Sequence, residues 1–249
     1  MYLKPVKINF MNHHQSKIFY LTLFIISVFA CSEHKERVIN PVVRDIVRGV
    51  STAELENTIS DLVSFETRWT YQKQLEAANY LHDRMNFYIS NTFFDEYEFW
   101  GVTWKNVVAS IPGKIHPEEV VIVCAHLDSK SEQRLVYAPG ADDNASGCSS
   151  VLELARILSN HIFEKSIRFM FFSREESGWE GSAAYLKTVD RNNEKIFAAI
   201  NMDMIAYGGD DEDIDLVTRP EYSWLAENIY HLAYLYGIDI KKIIDKHCY

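Results

Sequence analysis

The chain has 249 residues, 47% hydrophobic and 13% aromatic, which argues against global disorder because these side chains suffice for one large core. Its formal net charge is -10, with 35 acidic and 25 basic residues. That balance argues against a nucleic-acid partner, because no basic stripe is present to displace phosphate counterions. The four cysteines lack C-x-x-C spacing, which argues against zinc-finger and thioredoxin motifs.

The N-terminal part of the chain has the pattern of an export signal. Residues 18–30 (IFYLTLFIISVFA) form an apolar run that follows Lys17. The run is too short to span a bilayer as a mature helix, and it matches the apolar core of a secretory signal. We therefore predict a signal peptide over residues 1–30, with Met11 as a possible true start.

The segment Val28-Phe29-Ala30-Cys31 resembles a bacterial lipobox, although Phe29 is bulkier than the usual residue. The resemblance implies that Cys31 becomes a lipidated first residue, and the alternative is an ordinary signal peptide cut near Ala30. Lipid chains would hold the protein at a membrane surface, with residues 31–50 as a polar tether. We expect an exported lipoprotein of the bacterial cell envelope, at the outer membrane or its periplasmic face, or otherwise a secreted protein.

The following residues, 51–249, predict one domain that begins with two helices and a hairpin. Apolar residues at helical spacing predict helices over residues 55–65 and 75–89. Strands are predicted over 93–100 and 104–111, with a turn at Gly101-Val102-Thr103 and a stop at Pro112-Gly113.

Strands and helices then alternate along the chain. Continuous apolar runs predict buried strands over residues 120–125, 167–172 and 197–202. Helices are predicted after Asn144 or Ser146 and over residues 182–189 and 222–236. This order predicts an α/β fold of three αβα layers, in which a mostly parallel mixed sheet has helices on both faces.

Acidic residues and one histidine follow the three buried strands. His126 and Asp128 follow the first strand, Glu175 and Glu176 the second, and Asp203 the third. Ligands of open α/β sheets bind outside the carboxyl ends of the strands, so we expect these side chains at one edge. The loop Gly140-Ala141-Asp142-Asp143-Asn144 adds carboxylates at that same edge.

Such a cluster favours a divalent cation, because packed carboxylates otherwise repel one another or hold protons. Nitrogen and oxygen ligands without thiolate suit zinc, with manganese and cobalt as alternatives. A carboxylate shared by two ions is the arrangement of two-metal hydrolysis. Each motif alone also has an ordinary explanation as a surface pair, a helix-dipole complement or a cap; their joint placement favours a site.

Spacing within the motifs separates the possible roles. His126 and Asp128 point the same way along a strand, so Asp128 can hold the ring nitrogen that does not bind metal. Glu175 and Glu176 are adjacent and cannot share one task. One of them can bind metal while the other accepts a proton from the attacking water.

Four stretches resemble the zinc aminopeptidases of the M28 family over about residues 52–249: AHLDS (125–129), APGADDNASG (138–147), REESGWEGS (174–182) and NMDMI (201–205). The segments LVSFETR (62–68) and NVVASIPG (106–113) are also similar to the start of that family's domain. The resemblance implies a zinc exopeptidase fold and the hydrolysis of N-terminal residues from peptide substrates.

The resemblance also implies residue roles. His126 and Asp203 would bind a first zinc ion and Glu176 a second, with Asp143 bridging the two. Glu175 would be the general base and Asp128 would orient His126. A cis peptide bond is expected between Asp143 and Asn144, and Met204 is a candidate for the substrate pocket, with core packing as the alternative.

One family feature is missing: a histidine for the second zinc ion, in an SDH-type motif after Asp203. The later histidines, His231 and His247, lack that context. We expect the chain to be a fragment or frameshift product; a weakly held second ion or a non-catalytic relative are the alternatives. A carboxypeptidase or a glutaminyl cyclase of the same fold also remains open, although His126 disfavours a single-zinc cyclase.

Overall fold

The computed structural model describes residues 6–10, 39–192, 194–207, 213–237 and 241–245. The strands are β1 (Val6–Phe10), β2 (Thr92–Phe99), β3 (Val102–Ile111), β4 (His116–His126), β5 (Lys165–Phe172), β6 (Lys195–Met202), β7 (Asp213–Val217) and β8 (Lys241–Asp245). The helices are α1 (Pro41–Arg48), α2 (Thr52–Val63), α3 (Tyr71–Tyr88), α4 (Gly147–Leu158), α5 (Glu180–Asn192) and α6 (Ser223–Leu235).

The strands form one mixed sheet in the order β2-β3-β5-β4-β6-β1-β7-β8. Strand β4 runs parallel to both β5 and β6, and β2 pairs antiparallel with β3. Alternate residues of β4 enter different clusters: Val121 and Val123 join the larger core, whereas Val120 and Ile122 face the smaller one with Tyr185 of α5. Helices therefore cover both faces of the sheet, which confirms the predicted αβα architecture.

The hairpin of β2 and β3 turns earlier than predicted. Phe99 pairs with Val102, so the two-residue turn is Trp100-Gly101, and both of its residues have positive φ (52° and 73°). A two-residue turn with left-handed backbone matches the twist of the flanking strands. Val102 and Thr103 therefore belong to β3, and the prediction that they lie in the turn is wrong.

Helices α2 and α3 begin three or four residues before the predicted starts because polar caps precede them. The Ser51 side chain accepts a hydrogen bond from the Glu54 amide, and the Thr70 side chain accepts one from the Lys73 amide. Each cap satisfies an amide that has no partner within the helix. The first turns carry few apolar residues, so apolar spacing alone did not reveal them.

Helix α1 lies within the segment that was predicted to be a tether over residues 31–50. Asn40 caps it, Pro41 occupies its first turn, and its Val43, Ile46 and Val47 are buried in the larger core. Residues 41–48 therefore pack on the core of the domain, ahead of its predicted start at residue 51. The helix has only eight residues, too few for a clear apolar period in the sequence.

The predicted leader is described only at Val6–Phe10, which form β1 parallel to β6 and antiparallel to β7. The apolar run 18–30 and Cys31 lie outside the described residues. Among the residues that are described, no helix is both long enough and apolar enough to cross a membrane. Strands β7 and β8 were not predicted, because their sequences, DIDLV and KKIID, are short and half charged.

Candidate metal centre

The carboxyl ends of three neighbouring strands carry the predicted residues. β4 lies between β5 and β6, and its last residue His126 pairs with Phe172, the last residue of β5. Glu175 follows β5 and Asp203 follows β6 within a few residues. Because the three strands are parallel, the residues that end or follow them lie at one edge of the sheet, where the sequence analysis placed them.

Three of the predicted ligands form a compact group, which we call the ligand triad: His126, Asp143 and Asp203. Their ligand atoms all lie within 4.8 Å of one another. His126 Nε2 is 3.0 Å from Asp143 Oδ1 and 3.5 Å from Asp203 Oδ1. Ligand atoms of a tetrahedral zinc ion are about 3.3–3.6 Å apart, given bond lengths of about 2.0–2.2 Å, so the triad fits zinc in both spacing and donor chemistry.

The two glutamates occupy different positions beside the triad. Glu175 Oε2 lies 4.0 Å from His126 Nε2. The Glu176 carboxylate is mostly shielded from solvent and contacts the Lys130 ammonium at 3.6 Å. Within the described part of the chain, Glu176 is not a member of the group that can hold one ion.

Asp128 contacts both His126 and the loop that carries Glu175 and Glu176. Its carboxylate was expected to hold the His126 ring, but its hydrogen bonds go mainly to the loop. Its carboxylate accepts hydrogen bonds from the amides of Glu175 (3.0 Å) and Glu176 (3.1 Å). His126 Nδ1 lies 3.1 Å from the main-chain oxygen of Asp128 and 3.6 Å from its carboxylate. Asp128 therefore positions the glutamate loop as well as the histidine ring.

The loop Ala141–Ser146 carries Asp143 to the triad. Asn144 fastens this loop, because its Nδ2 donates to the Met202 carbonyl and its Oδ1 accepts from the Gly147 amide at the start of α4. Ser146 instead donates to the Asp142 carbonyl and accepts from the Ile205 amide. Asn144 rather than Ser146 is therefore the side chain that caps α4, and the Asp143–Asn144 peptide bond is cis, as the family resemblance implied.

The local charges shift the titration of His126 and Glu175. Burial would lower the pKa of His126, but the neighbouring carboxylates of Asp128, Asp143 and Asp203 raise the pKa well above its usual value. Burial also raises the pKa of Glu175, with repulsion from Asp203 and Asp128 adding to the effect and His126 opposing it. A carboxylate with a raised pKa is a better proton acceptor near neutral pH.

Met204, the candidate pocket residue, follows Asp203 directly. Its backbone has φ 54°, and its side chain is half-buried. A non-glycine residue in this region is uncommon and costs energy, which the surrounding structure must offset. The Ser146 hydroxyl accepts a hydrogen bond from the next amide, Ile205, and so helps to hold the turn.

Two buried polar residues beside the centre were not identified from sequence. Asn106 of β3 accepts a hydrogen bond from the Ser173 amide and donates to the Gly181 carbonyl, which fixes both ends of the segment that carries Glu175. Arg68 is fully buried between α2 and α3. An arginine between two predicted helices is expected to be exposed, because arginine is rarely fully buried. The only feature of the sequence that pointed to a special role for Arg68 was its place in the segment 62–68, which resembles the family.

The sequence matches Peptidase family M28 over residues 106–246, more than half of the chain. The chain belongs to the M28 family. Among curated relatives, this M28 chain is 28% identical over 226 residues to leucine aminopeptidase 1 of Paracoccidioides brasiliensis, covering 82% of this chain and 57% of the relative. It is 30% identical over 187 residues to a probable zinc metalloprotease of Pyrenophora tritici-repentis, covering 65% and 43%. It therefore spans about half the length of these relatives.

Two solved structures are similar to this M28 chain in fold. The Legionella pneumophila LapA aminopeptidase superposes with a TM-score of 0.69 at 18% identity, covering 87% of this chain and 61% of that protein. A Bacteroides thetaiotaomicron glutaminyl cyclase superposes with a TM-score of 0.62 at 17% identity, covering 78% and 76%. The chain therefore has the zinc exopeptidase fold, as predicted, and zinc is the metal that its family supports.

Proposed function

We propose that the protein is a zinc exopeptidase that removes N-terminal residues from peptides. The observation that carries the proposal is the ligand triad with the Glu175 carboxylate 4.0 Å from His126 Nε2. A metal cage with an adjacent, half-buried carboxylate would supply both an electrophile and a base. Leucine aminopeptidases among the relatives support peptides with a free N-terminus as the substrate class.

In the proposed reaction, His126, Asp143 and Asp203 hold the ion. Zinc, when bound, polarises the scissile carbonyl and lowers the pKa of water. Glu175 accepts the proton of the attacking water and then passes it to the nitrogen of the leaving amine, so that one peptide bond is broken and one water consumed. The half-buried Met204 contributes to the pocket for the N-terminal side chain.

The contacts of Glu175 support different roles for its two carboxylate oxygens. Oε1 accepts a hydrogen bond from Trp179 Nε1 at 2.9 Å, and Oε2 faces His126. The indole donor limits the rotation of this carboxylate, and the Asp128 bond to the Glu175 amide holds the main chain of Glu175. Oε2 is therefore the oxygen that takes the proton.

A second zinc ion is part of the proposal, and Glu176 and Asp143 are the residues that would hold it. Its support is electrostatic: burial raises the pKa of Glu176, and repulsion from the negative charge of Asp143 adds to the shift. A cation between them would relieve that repulsion. Metal analysis of purified protein tests this part separately: two ions per chain support it, and one ion contradicts it.

Zinc removal gives the first test. We expect the protein to release amino acid from aminoacyl-nitroanilides, to lose this activity on treatment with a chelator, and to regain it when zinc is added. Thermal melting of each sample checks that the apo protein is still folded. Absence of release from a folded, zinc-loaded protein across a panel of aminoacyl groups would contradict the proposal.

The alternatives from the sequence analysis give different products from the same peptides. We would incubate a peptide with an N-terminal glutamine and a free C-terminus and follow it by mass spectrometry. An aminopeptidase shortens the peptide from its N-terminus, a carboxypeptidase from its C-terminus, and a cyclase removes ammonia without shortening it. An inactive relative leaves the peptide unchanged.

For location, we propose export and lipidation at Cys31, based on the apolar run and its closing Ala30-Cys31. Cleavage there would remove Val6–Phe10 from the sheet, so the mature N-terminus is informative for the fold as well. Mass spectrometry after bacterial expression should find a lipid-modified Cys31. An N-terminus that still begins at Met1 would contradict export.

A further inference from the structure

Arg68 connects the two chain segments that deliver metal ligands. Its side chain is fully buried, and its guanidinium donates to four main-chain carbonyls. Nε donates to Leu127, the residue after His126, at 2.8 Å. Nη1 and Nη2 donate to Pro139 at 2.6 Å and to Gly140 at 3.0 Å, at the start of the loop that carries Asp143.

The surroundings of Arg68 leave little room for another arrangement. A Cβ on Gly140 would lie 2.9 Å from Arg68 Nη2 and 2.3 Å from the Asp143 carbonyl oxygen, and Gly140 has φ 51°. The main chain of Arg68 is also held, because its amide donates to Ser129 Oγ, which in turn donates to the Ala138 carbonyl. Both ligand-bearing segments are thus fastened to one planar group.

A buried guanidinium is costly, and such groups usually pair with a carboxylate. Burial lowers the pKa of Arg68, and the negative charges of Asp128 and Asp143 oppose that effect. Its hydrogen-bond partners are nevertheless main-chain carbonyls, of the strand end, of the loop and of Leu62 in α2. A planar fork with five donors can hold several carbonyls in fixed directions, which a lysine ammonium cannot do.

We propose that Arg68 is a positioning residue of the metal centre, which sets the distance between His126 and Asp143 by holding Leu127 and Gly140 on one rigid fork. This inference rests on the proposed zinc site. The charge of Arg68 and the geometry of its side chain should have opposite effects on the affinity for zinc, which allows a clear test. A cation near the site repels zinc, so loss of the charge alone would tighten zinc binding. Loss of the fork would misplace the ligands and weaken it.

The test is the zinc dissociation constant of the full chain, measured by competition with a chelating indicator, for Arg68→Met and Arg68→Lys. We expect zinc binding to weaken about 10–100-fold in both variants, the range found when a residue that orients a metal ligand is lost. The visible spectrum of bound cobalt(II) should also change, since it reports the ligand geometry. Arg168→Met is the matched control: this mostly buried arginine of β5 pairs with Glu194 and lies away from the triad.

The outcomes are separable. The control should lose thermal stability and keep its zinc affinity and cobalt spectrum. Arg68 variants that melt cooperatively but bind zinc like the parent, or an Arg68→Met that binds more tightly while Arg68→Lys is unchanged, would overturn the inference. If neither variant folds, Ser129→Ala is the deciding variant, because it removes the hydroxyl that holds the Arg68 main chain and is a small change. Unchanged zinc binding by Ser129→Ala would then overturn the inference. A parent chain that binds no zinc contradicts the proposed function instead.

Discussion

Glu175→Gln should lower kcat for aminoacyl-nitroanilide release by about 10²- to 10⁴-fold while zinc remains bound, because this range is the usual contribution of a general base. Glutamine has nearly the same shape and can still accept the hydrogen bond from Trp179, which is 2.9 Å long in the native chain. It cannot accept a proton from water. The loss should therefore be in kcat, with zinc content and melting temperature close to those of the parent.

Glu118→Gln is the control for this prediction. Glu118 is exposed near the beginning of β4, at the end of the strand opposite His126. The change of carboxylate to amide is the same, so kcat should stay at the parental value. If Glu175→Gln retains most of the parental kcat, Glu175 is not the base. If it loses zinc, its role is that of a ligand.

His126→Ala should abolish the stabilisation of the fold by zinc. A ligand that binds only the native state adds about 2.7 kcal/mol at a concentration 100 times its Kd. For a chain of about 150–250 residues this corresponds to a rise in Tm of roughly 2–4 °C per kcal/mol. The imidazole is the only nitrogen ligand of the triad. Without it, Asp143 and Asp203 bind zinc too weakly for this rise at the same zinc concentration.

His116→Ala tests the specificity of that result. His116 begins the same strand that His126 ends, and it is exposed. We expect this variant to show the full zinc-dependent rise in Tm, measured by calorimetry with and without the ion. If zinc raises the Tm of His126→Ala as much as that of the parent, the binding site lies elsewhere and the proposed function loses its basis.

Much of the fold could be predicted from sequence because its signals are local. The continuous apolar runs at residues 120–125 and 167–172 have strand length and lie in β4 and β5. Helices and strands that alternate along the chain leave few arrangements other than a parallel sheet covered on both faces. The strands β7 and β8 gave no such signal, since each is five residues long and carries charged side chains.

The position of the candidate site was also predictable, but several of its contacts were not. His126 and Asp203 end or follow parallel strands, so the sheet brings them together whatever the loops do. The position of Asp143 depends on the path of a loop. Asp143 was identified from its motif and not from its position relative to a strand. The partners of Asp128, the amides of Glu175 and Glu176, lie 47 and 48 residues away and follow no spacing rule.

By itself, the sequence determined the αβα architecture, the edge of the sheet that carries the ligands, and the family. The reason is that apolar periodicity, the order of strands and helices along the chain, and short motifs can all be recognised from neighbouring residues. Only the tertiary structure decided that Pro41–Arg48 packs as a helix, that Asn144 caps α4, and that Arg68 joins Leu127 to Gly140. These contacts depend on the paths of loops between distant segments. No local pattern in the chain encodes such a path, since it results from the packing of the whole core.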